Sequence, residues 1–151
     1  MNTAVLFSSK SDEWATPQDL FDALHKEFDF ELDLAASRDN AKLPAFYSGI
    51  GGCSTDEPWS LQSRGFCNPP YSRGLQGKFI AKAAAERLKG FLTVMLLPAR
   101  TDTKAFHAHI YDASKWQARE GVEIRLLPGR LKFGGATASA PFPSMVVVFR
   151  P

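Results

Sequence analysis

The chain has 151 residues, of which 44% are hydrophobic and 23% charged, a balance typical of an ordinary soluble domain that is long enough to bury a core. The formal net charge is only +2, so the total charge gives no strong electrostatic argument for a nucleic-acid partner. No apolar run approaches the ~20 residues of a membrane helix, no signal peptide is evident, and Cys53 and Cys67 lack metal-ligand spacing, which together predict a reduced, cytoplasmic location.

The first third of the chain is expected to contain a helix followed by two short strands. The pair Thr16-Pro17 predicts the start of the helix, because threonine is a good N-cap and proline fits the first helical position. The apolar face of this helix is marked by Leu20, Phe21, Leu24 and Phe28. Alternating apolar and polar residues predict a strand at residues 30–34, with its end between residues 33 and 36, and residues 45–47 predict a weaker strand.

The middle of the chain predicts a loop, a strand and a helix. Residues 48–63 carry Gly, Ser, Asp and Pro and indicate a loop, with Trp59 and Leu61 turned inward. A short strand is expected at residues 65–67. An alanine-rich helix is expected at residues 75–88.

The last third of the chain predicts three strands and one helix. The continuous apolar run at residues 91–97 is typical of a strand that is buried on both faces. A helix is expected at residues 103–112, and strands at residues 122–127 and 144–150. The connection through residues 128–143 is rich in glycine and proline and too short for a full crossover, so these last two strands should be antiparallel.

These elements together predict an α/β fold. Strands that alternate with helices favour a three-layer sandwich with a mostly parallel sheet, here with an antiparallel C-terminal strand. Residues 14–151 are expected to form a single domain after a flexible N-terminal segment at residues 1–13. That length leaves little room for a separate target-recognition domain.

The sequence Asn68-Pro69-Pro70-Tyr71 follows the third predicted strand and is the most specific feature of the chain. Two prolines fix two φ angles and remove two N–H donors, so the turn is stiff and its carbonyl groups are free to accept hydrogen bonds. A carboxamide oxygen, a bare carbonyl and an aromatic ring suit a flat ligand that carries an NH2 group. In open α/β sheets ligands bind beyond the carboxyl ends of the strands, although Asn-Pro and Pro-Pro also occur in plain turns.

Several segments, taken in chain order, resemble the phage-type Dam-like DNA N6-adenine methyltransferases. They are Thr16-Pro17, Asp33-Leu34-Ala35-Ala36, Asn68-Pro69-Pro70-Tyr71 and residues 97–102, 129–135 and 139–144. The resemblance spans residues 14–149 and implies an abbreviated Rossmann-like fold that uses S-adenosylmethionine as methyl donor and DNA as substrate. It also implies a gene of phage or prophage origin in a bacterial cell. The chain departs from many methyltransferases in having no glycine-rich turn after the first strand, since no glycine occurs before Gly49.

The resemblance also implies roles for individual residues. The catalytic group would be Asn68, Pro69, Pro70 and Tyr71. The cofactor would be bound by Thr16, Pro17, Asp33, Ala35 and, near its adenine ring, Asp56. The substrate would be contacted by Phe133 and Phe142, opposite Tyr71, and by the basic residues Arg73, Arg130 and Lys132. No metal is expected, because direct displacement at a sulfonium methyl group needs none.

Several of these positions could equally have a purely structural role. Thr16 is fully accounted for as a helix cap, and Asp33 could be a buried aspartate that is bonded to the backbone. Arg100 could form a surface salt bridge as easily as a phosphate contact. His107 and His109 lie on different faces of a predicted helix and make a poor metal pair.

The expected reaction is methyl transfer to the exocyclic amine of a flipped adenine. Asn68 Oδ1 and the Pro69 carbonyl would accept the two amine hydrogens, while Tyr71 would stack on the base. The same groups would suit an adenine in RNA or a glutamine side chain, and a non-catalytic cofactor- or nucleic-acid-binding module of this fold is a further alternative. The sequence leaves the target sequence and the oligomeric state open.

Overall fold

A six-stranded sheet forms the centre of the protein. The structure, a computed structural model, describes residues 14–48, 53–72, 74–134 and 138–151. The expectation of a flexible segment at residues 1–13 therefore lies outside the described residues. Within the described ranges, no helix is long and apolar enough to cross a membrane.

The helices and strands follow the predicted order with two additions. In chain order they are α1 (Gln18–Phe28), β1 (Leu32–Ala36), β2 (Phe46–Ser48), α2 (Cys53–Asp56), β3 (Arg64–Cys67), α3 (Leu75–Arg87), β4 (Leu92–Pro98), α4 (Lys104–His109), β5 (Tyr111–Asp112), β6 (Gln117–Ala118), β7 (Val122–Leu126) and β8 (Ser144–Phe149). The additions are the short helix α2, inside the predicted loop, and the small hairpin of β5 and β6.

The strand order in the main sheet is β2-β1-β3-β4-β8-β7. Strands β1 to β4 are mutually parallel, and β8 is antiparallel to both of its neighbours, β4 and β7. This confirms the mostly parallel sheet and the antiparallel C-terminal strand. It also confirms that the last two strands pair with each other. The mixed α/β arrangement is compatible with a Rossmann-like fold.

Side chains from the two faces of the sheet enter separate cores. Along β4, Val94 and Leu96 pack in one core, while Met95 and Leu97 pack in the other, because successive side chains of a strand point to opposite faces. Helix α1 covers the first core, and α3 and α4 cover the second. The prediction of a strand buried on both faces is confirmed, since six of the seven residues of β4 are fully buried.

The helix predicted at residues 103–112 is longer than the observed helix α4, which ends at His109. The chain leaves the helix after α4 and turns into the β5–β6 hairpin, where the Asp112 carboxylate accepts hydrogen bonds from the backbone N–H (3.0 Å) and hydroxyl (2.6 Å) of Ser114. An aspartate that bonds two residues ahead stabilises a turn in competition with a helix. That local competition is the reason the helix stops early.

Of the two side chains predicted to turn inward in the loop before β3, one does and the other does not. Trp59 is fully buried, as predicted. Leu61 is 81% exposed, so the prediction that its side chain turns inward was wrong. The backbone N–H of Gln62 donates to the Trp59 carbonyl (3.1 Å) and closes a tight turn. With Trp59 anchored in the core, this turn directs Leu61 to solvent.

Candidate functional site

An open cleft lies where the chain leaves the carboxyl ends of β1 and β3. These two strands are parallel neighbours, with Asp33 in register with Phe66, so their ends meet at one edge of the sheet. The cleft is lined by Trp14, Ala15 and Thr16, by Asp33, Ala35, Ala36, Ser37, Asn40 and Lys42, and by Phe66, Asn68, Pro69 and Pro70. Three segments that are distant in sequence therefore share one surface.

Asn68 is held by the segment that precedes α1. Its Nδ2 group donates to the Trp14 carbonyl and to the Thr16 hydroxyl oxygen (3.0 Å). The Trp14 carbonyl can only accept a hydrogen bond, so the NH2 group must be the part of the carboxamide that faces it. Asn68 Oδ1 is thereby turned the other way, and none of the described residues donates a hydrogen bond to it or to the Pro69 carbonyl.

Thr16 therefore does not cap α1, contrary to the sequence prediction. The residue at the N-cap is Pro17, outside helical geometry (ψ 133°), and no side chain caps the helix. The Thr16 side chain is only 4% exposed, and its hydroxyl meets Asn68 instead. Pro17 lies outside the cleft, in a neighbouring groove.

Asp33 combines the two roles that the sequence left open. Its side chain is 3% exposed and lines the cleft, and its oxygens accept hydrogen bonds from the backbone N–H groups of Ala35 (3.3 Å) and Lys42 (3.0 Å). Burial raises the pKa of Asp33 to about 6, against the lowering effect of these two amide groups. Most of the carboxyl groups are thus ionised at neutral pH, at the wall of the cleft.

Tyr71 lies in an aromatic cluster next to the cleft. Its ring meets Phe142 (centroids 5.5 Å apart, 70° between planes) and Phe133 (6.3 Å, 86°) edge to face, and Trp14 contacts both phenylalanines at 5.5 and 5.2 Å. The sequence predicted that these two phenylalanines lie opposite Tyr71. In the structure they contact the Tyr71 ring directly.

The Tyr71 hydroxyl is buried and makes no hydrogen bond to a described residue. Burial raises the pKa of Tyr71 well above its ordinary value, so the side chain remains neutral. An unpaired buried hydroxyl costs free energy. A ligand or an ordered water molecule that bonded to it would remove this cost.

The predicted basic residues are more scattered. Arg130 and Lys132 are exposed and line the groove that also contains Pro17, whereas Arg73 lies outside the described residues. The two described residues therefore lie outside the cleft that contains Asn68 and Asp33. Arg125, on β7, forms a two-pronged ion pair with Glu27, with N–O distances of 2.7 and 2.6 Å.

Asp56 does not approach the cleft walls. It is exposed, at the end of α2, and is not among the lining residues. Its suggested contact with the cofactor therefore remains a prediction without a geometric basis in the described residues.

Seven lining residues were not predicted from the sequence. They are Trp14, Ala15, Ala36, Ser37, Asn40, Lys42 and Phe66. The polar residues just after β1 had a usable signal, because ligands bind at the carboxyl ends of parallel strands. Trp14 had no local signal, since its carbonyl acts on a side chain that is 54 positions away.

The described residues contain no group of three or more His, Cys, Asp or Glu side chains that could hold a metal ion. The family model described as DNA N-6-adenine-methyltransferase (Dam) matches residues 3–151 of the chain, which is almost its whole length. No protein of curated function matches the chain significantly.

Proposed function

Since the chain belongs to the Dam family of DNA N-6-adenine-methyltransferases, we propose that it moves a methyl group from S-adenosylmethionine to the exocyclic amine of a flipped adenine by direct displacement. The observation that carries the proposal is the fixed orientation of Asn68. Its NH2 group is engaged by Trp14 and Thr16, so its oxygen is presented as a free acceptor at the edge of the cleft.

The cleft suits S-adenosylmethionine. The cofactor carries an ammonium group and a sulfonium centre, both positively charged, and the ionised Asp33 carboxylate at the cleft wall complements them. The side chains that would hold the cofactor are Thr16 and Asp33. Bound there, it would supply a methyl group that its sulfonium already activates. Ligands of open α/β sheets bind beyond the carboxyl ends of the strands, which supports a cofactor site at this edge.

Asn68 and Pro69 would bind the amine that receives the methyl group. In adenine, the amine lone pair is delocalised into the ring, which makes the nitrogen a poor nucleophile. If Asn68 Oδ1 and the Pro69 carbonyl accept the two amine hydrogens, the nitrogen moves toward tetrahedral geometry, and the positive charge that develops on it is stabilised. The bonds from Trp14 and Thr16 hold Asn68 in place beforehand, which lowers the entropy lost when the substrate binds.

Tyr71 would receive the base that leaves the duplex. Flipping costs a few kcal/mol, and stacking on an aromatic side chain returns about 1–3 kcal/mol. Phe133 and Phe142, which contact the Tyr71 ring edge to face, would form an apolar wall beside the base.

The test is methyl transfer from tritiated S-adenosylmethionine to DNA, RNA and protein in parallel, followed by sequencing of modified bases in DNA from cells that express the protein. Label in N6-methyladenine of DNA is the expected result. Label confined to RNA or to protein would overturn the choice of substrate. Saturable cofactor binding without transfer to any of the three would overturn the choice of an enzyme over a binding module.

A further inference from the structure

The loop that follows β4, at residues 98–103, is held by hydrogen bonds to its backbone. The Ala99 N–H donates to the Pro143 carbonyl (2.8 Å), which ties the loop to the segment that leads into β8. The Arg100 carbonyl accepts a hydrogen bond from the Thr103 hydroxyl (3.4 Å). The position of Arg100 is therefore set by its neighbours.

Helix α4 holds the same loop from its other end. The Thr103 hydroxyl oxygen accepts a hydrogen bond from the Phe106 N–H (3.2 Å) and so caps the helix. A ring nitrogen of His107 contacts the Thr101 carbonyl at 2.7 Å. A loop that is fixed at both ends presents its side chains with little loss of entropy when they bind a ligand.

The side chain of Arg100 differs from those of Arg64 and Arg125. It is exposed, and its guanidinium makes no hydrogen bond or ion pair with a described residue. By contrast, Arg64 lies within 4 Å of Asp29 and Glu31, and Arg125 is paired with Glu27. The guanidinium carbon of Arg100 instead lies over the Phe142 ring, 5.8 Å from its centre, which is within the range of a cation–π contact.

This unpaired cation is next to the proposed base site. The Phe142 ring that supports it lies 5.5 Å from the Tyr71 ring. Strands β3 and β4 are parallel neighbours, so the loop after β4 and the Asn68-Tyr71 turn leave the same edge of the sheet. The Arg100 charge is also close enough to oppose the rise that burial causes in the pKa of Tyr71.

We propose that Arg100 binds a phosphate of the DNA backbone beside the flipped adenine and thereby positions the target nucleotide over Tyr71 and Asn68. The inference rests on the proposed function, because it takes DNA as the substrate. A guanidinium that makes no hydrogen bond or ion pair keeps its N–H groups free, and its planar fork matches two phosphate oxygens. A base that has left the duplex remains attached to its backbone, so one anchored phosphate restricts where the base can go.

The experiment measures the affinity for a fluorescently labelled duplex, by anisotropy at several salt concentrations, for wild type, Arg100→Ala, Arg100→Lys and Lys26→Ala. Loss of one phosphate contact should lower the slope of log affinity against log salt by about 0.9. It should also weaken binding by about tenfold at low salt. Arg100→Lys should keep the salt slope and lose part of the affinity, because it keeps the charge but not the fork.

Lys26 is the matched control. It is exposed, in the last turn of α1 and thus at the end of that helix away from Thr16, and its replacement removes the same charge. Its variant should bind DNA with the wild-type slope. An equal fall in slope for both alanine variants would show a general charge effect and overturn the specific role of Arg100, as would an unchanged slope in Arg100→Ala.

Measurements of kcat and KM distinguish a role of Arg100 in positioning the DNA from a role in the chemical step. They also test this proposal separately from the proposed function. Arg100→Ala should raise the KM for DNA about tenfold, with kcat close to wild type and the thermal shift caused by S-adenosylmethionine unchanged. A fall in kcat at an unchanged KM would overturn the phosphate contact. Absence of transfer by the wild-type protein would overturn the proposed function, and the salt slopes would still decide the role of Arg100.

Discussion

The two ends of α1 lie in regions that use polar side chains in opposite ways. Just before its start, Thr16 is buried and accepts a hydrogen bond from the partly buried Asn68, and no described residue bonds Asn68 Oδ1. At its end, Glu27 is exposed and fully engaged by Arg125, which also pairs with Glu123. Complete pairing at the surface indicates a structural role, whereas an acceptor that is fixed in place and left free indicates a site for a ligand.

The largest effect is expected for Asn68→Ala, which removes the free acceptor. Transfer should fall by about 10²–10³-fold or more, the range found when one donor or acceptor that stabilises developing charge is deleted. The thermal shift caused by S-adenosylmethionine should persist, because in the proposed mechanism Asn68 bonds the amine of the base and not the main body of the cofactor. Tritium transfer measures the first quantity and a melting curve the second.

Asn40→Ala is the matched control for this variant. Asn40 is an asparagine of the same cleft, but its oxygen accepts a hydrogen bond from the Ser37 N–H (2.7 Å). It should lose far less activity. Turnover near the wild-type level in Asn68→Ala would remove Asn68 from the mechanism.

The second prediction concerns the pH dependence of stability at the cleft. The folded-state pKa of Asp33 is about 6, above its ordinary value of 3.8, so protonated Asp33 favours the folded state. That stability is fully present below about pH 4 and is lost as pH rises through about 6. A shift of about two pH units, at about 1.36 kcal/mol each, gives about 3 kcal/mol.

This effect can be isolated by comparison with Asp33→Asn. Between about pH 4 and 7, wild type should lose about 3 kcal/mol of unfolding free energy relative to the variant, whatever constant offset the substitution introduces. Urea unfolding at a series of pH values measures the difference. A difference that does not change with pH would mean that Asp33 ionises normally.

The third prediction separates the ring of Tyr71 from its hydroxyl. Tyr71→Ala should raise the KM for DNA by about 5–150-fold, which corresponds to the ~1–3 kcal/mol of base stacking. Tyr71→Phe keeps the ring and removes a buried hydroxyl without a described partner, so it should keep the wild-type KM and be as stable as wild type or slightly more so. A large loss of activity in Tyr71→Phe would show that the hydroxyl itself bonds the substrate.

The smallest effect is expected at the other end of α1. Arg125→Ala breaks the ion pairs with Glu27 and Glu123, and the stacking of Arg125 on Phe28. Because Arg125 and Glu27 are 33% and 46% exposed, solvent screens the pair, and the loss should be about 1 kcal/mol, shrinking in high salt. Transfer should be unaffected when assayed well below the melting temperature. Impaired transfer by a folded Arg125→Ala protein would contradict the purely structural role of the region at the end of α1.

The sequence predicted those parts of the fold that depend on patterns within one segment. The run at β4 is apolar because both of its faces are buried, and the alternation near Asp33 marks β1, so both strands were found. The early end of α4 was missed because the turn at Asp112 competes with the helix over a few residues. The orientation of Leu61 was missed because it depends on where Trp59 is anchored.

The candidate site was predicted where its residues lie in motifs, and missed where distant segments meet. Asn68 directly follows β3, and Asp33 lies within the alternating pattern of β1, which gave both a recognisable position. Thr16 had a sufficient local role as a helix cap, and only the fold shows that its hydroxyl meets a side chain 52 positions away. The position of Trp14 against Phe133 and Phe142 is likewise a product of tertiary packing.

The segment before α1 joins two parts of the molecule that are far apart in sequence. The Trp14 carbonyl holds Asn68, and the next carbonyl, that of Ala15, accepts a hydrogen bond from the Gly134 N–H (2.8 Å). No fully buried hydrophobic residue of the described core precedes Phe21. The shortest chain that folds should therefore begin later than the shortest chain that is active, and stepwise shortening from the N-terminus would separate the two lengths.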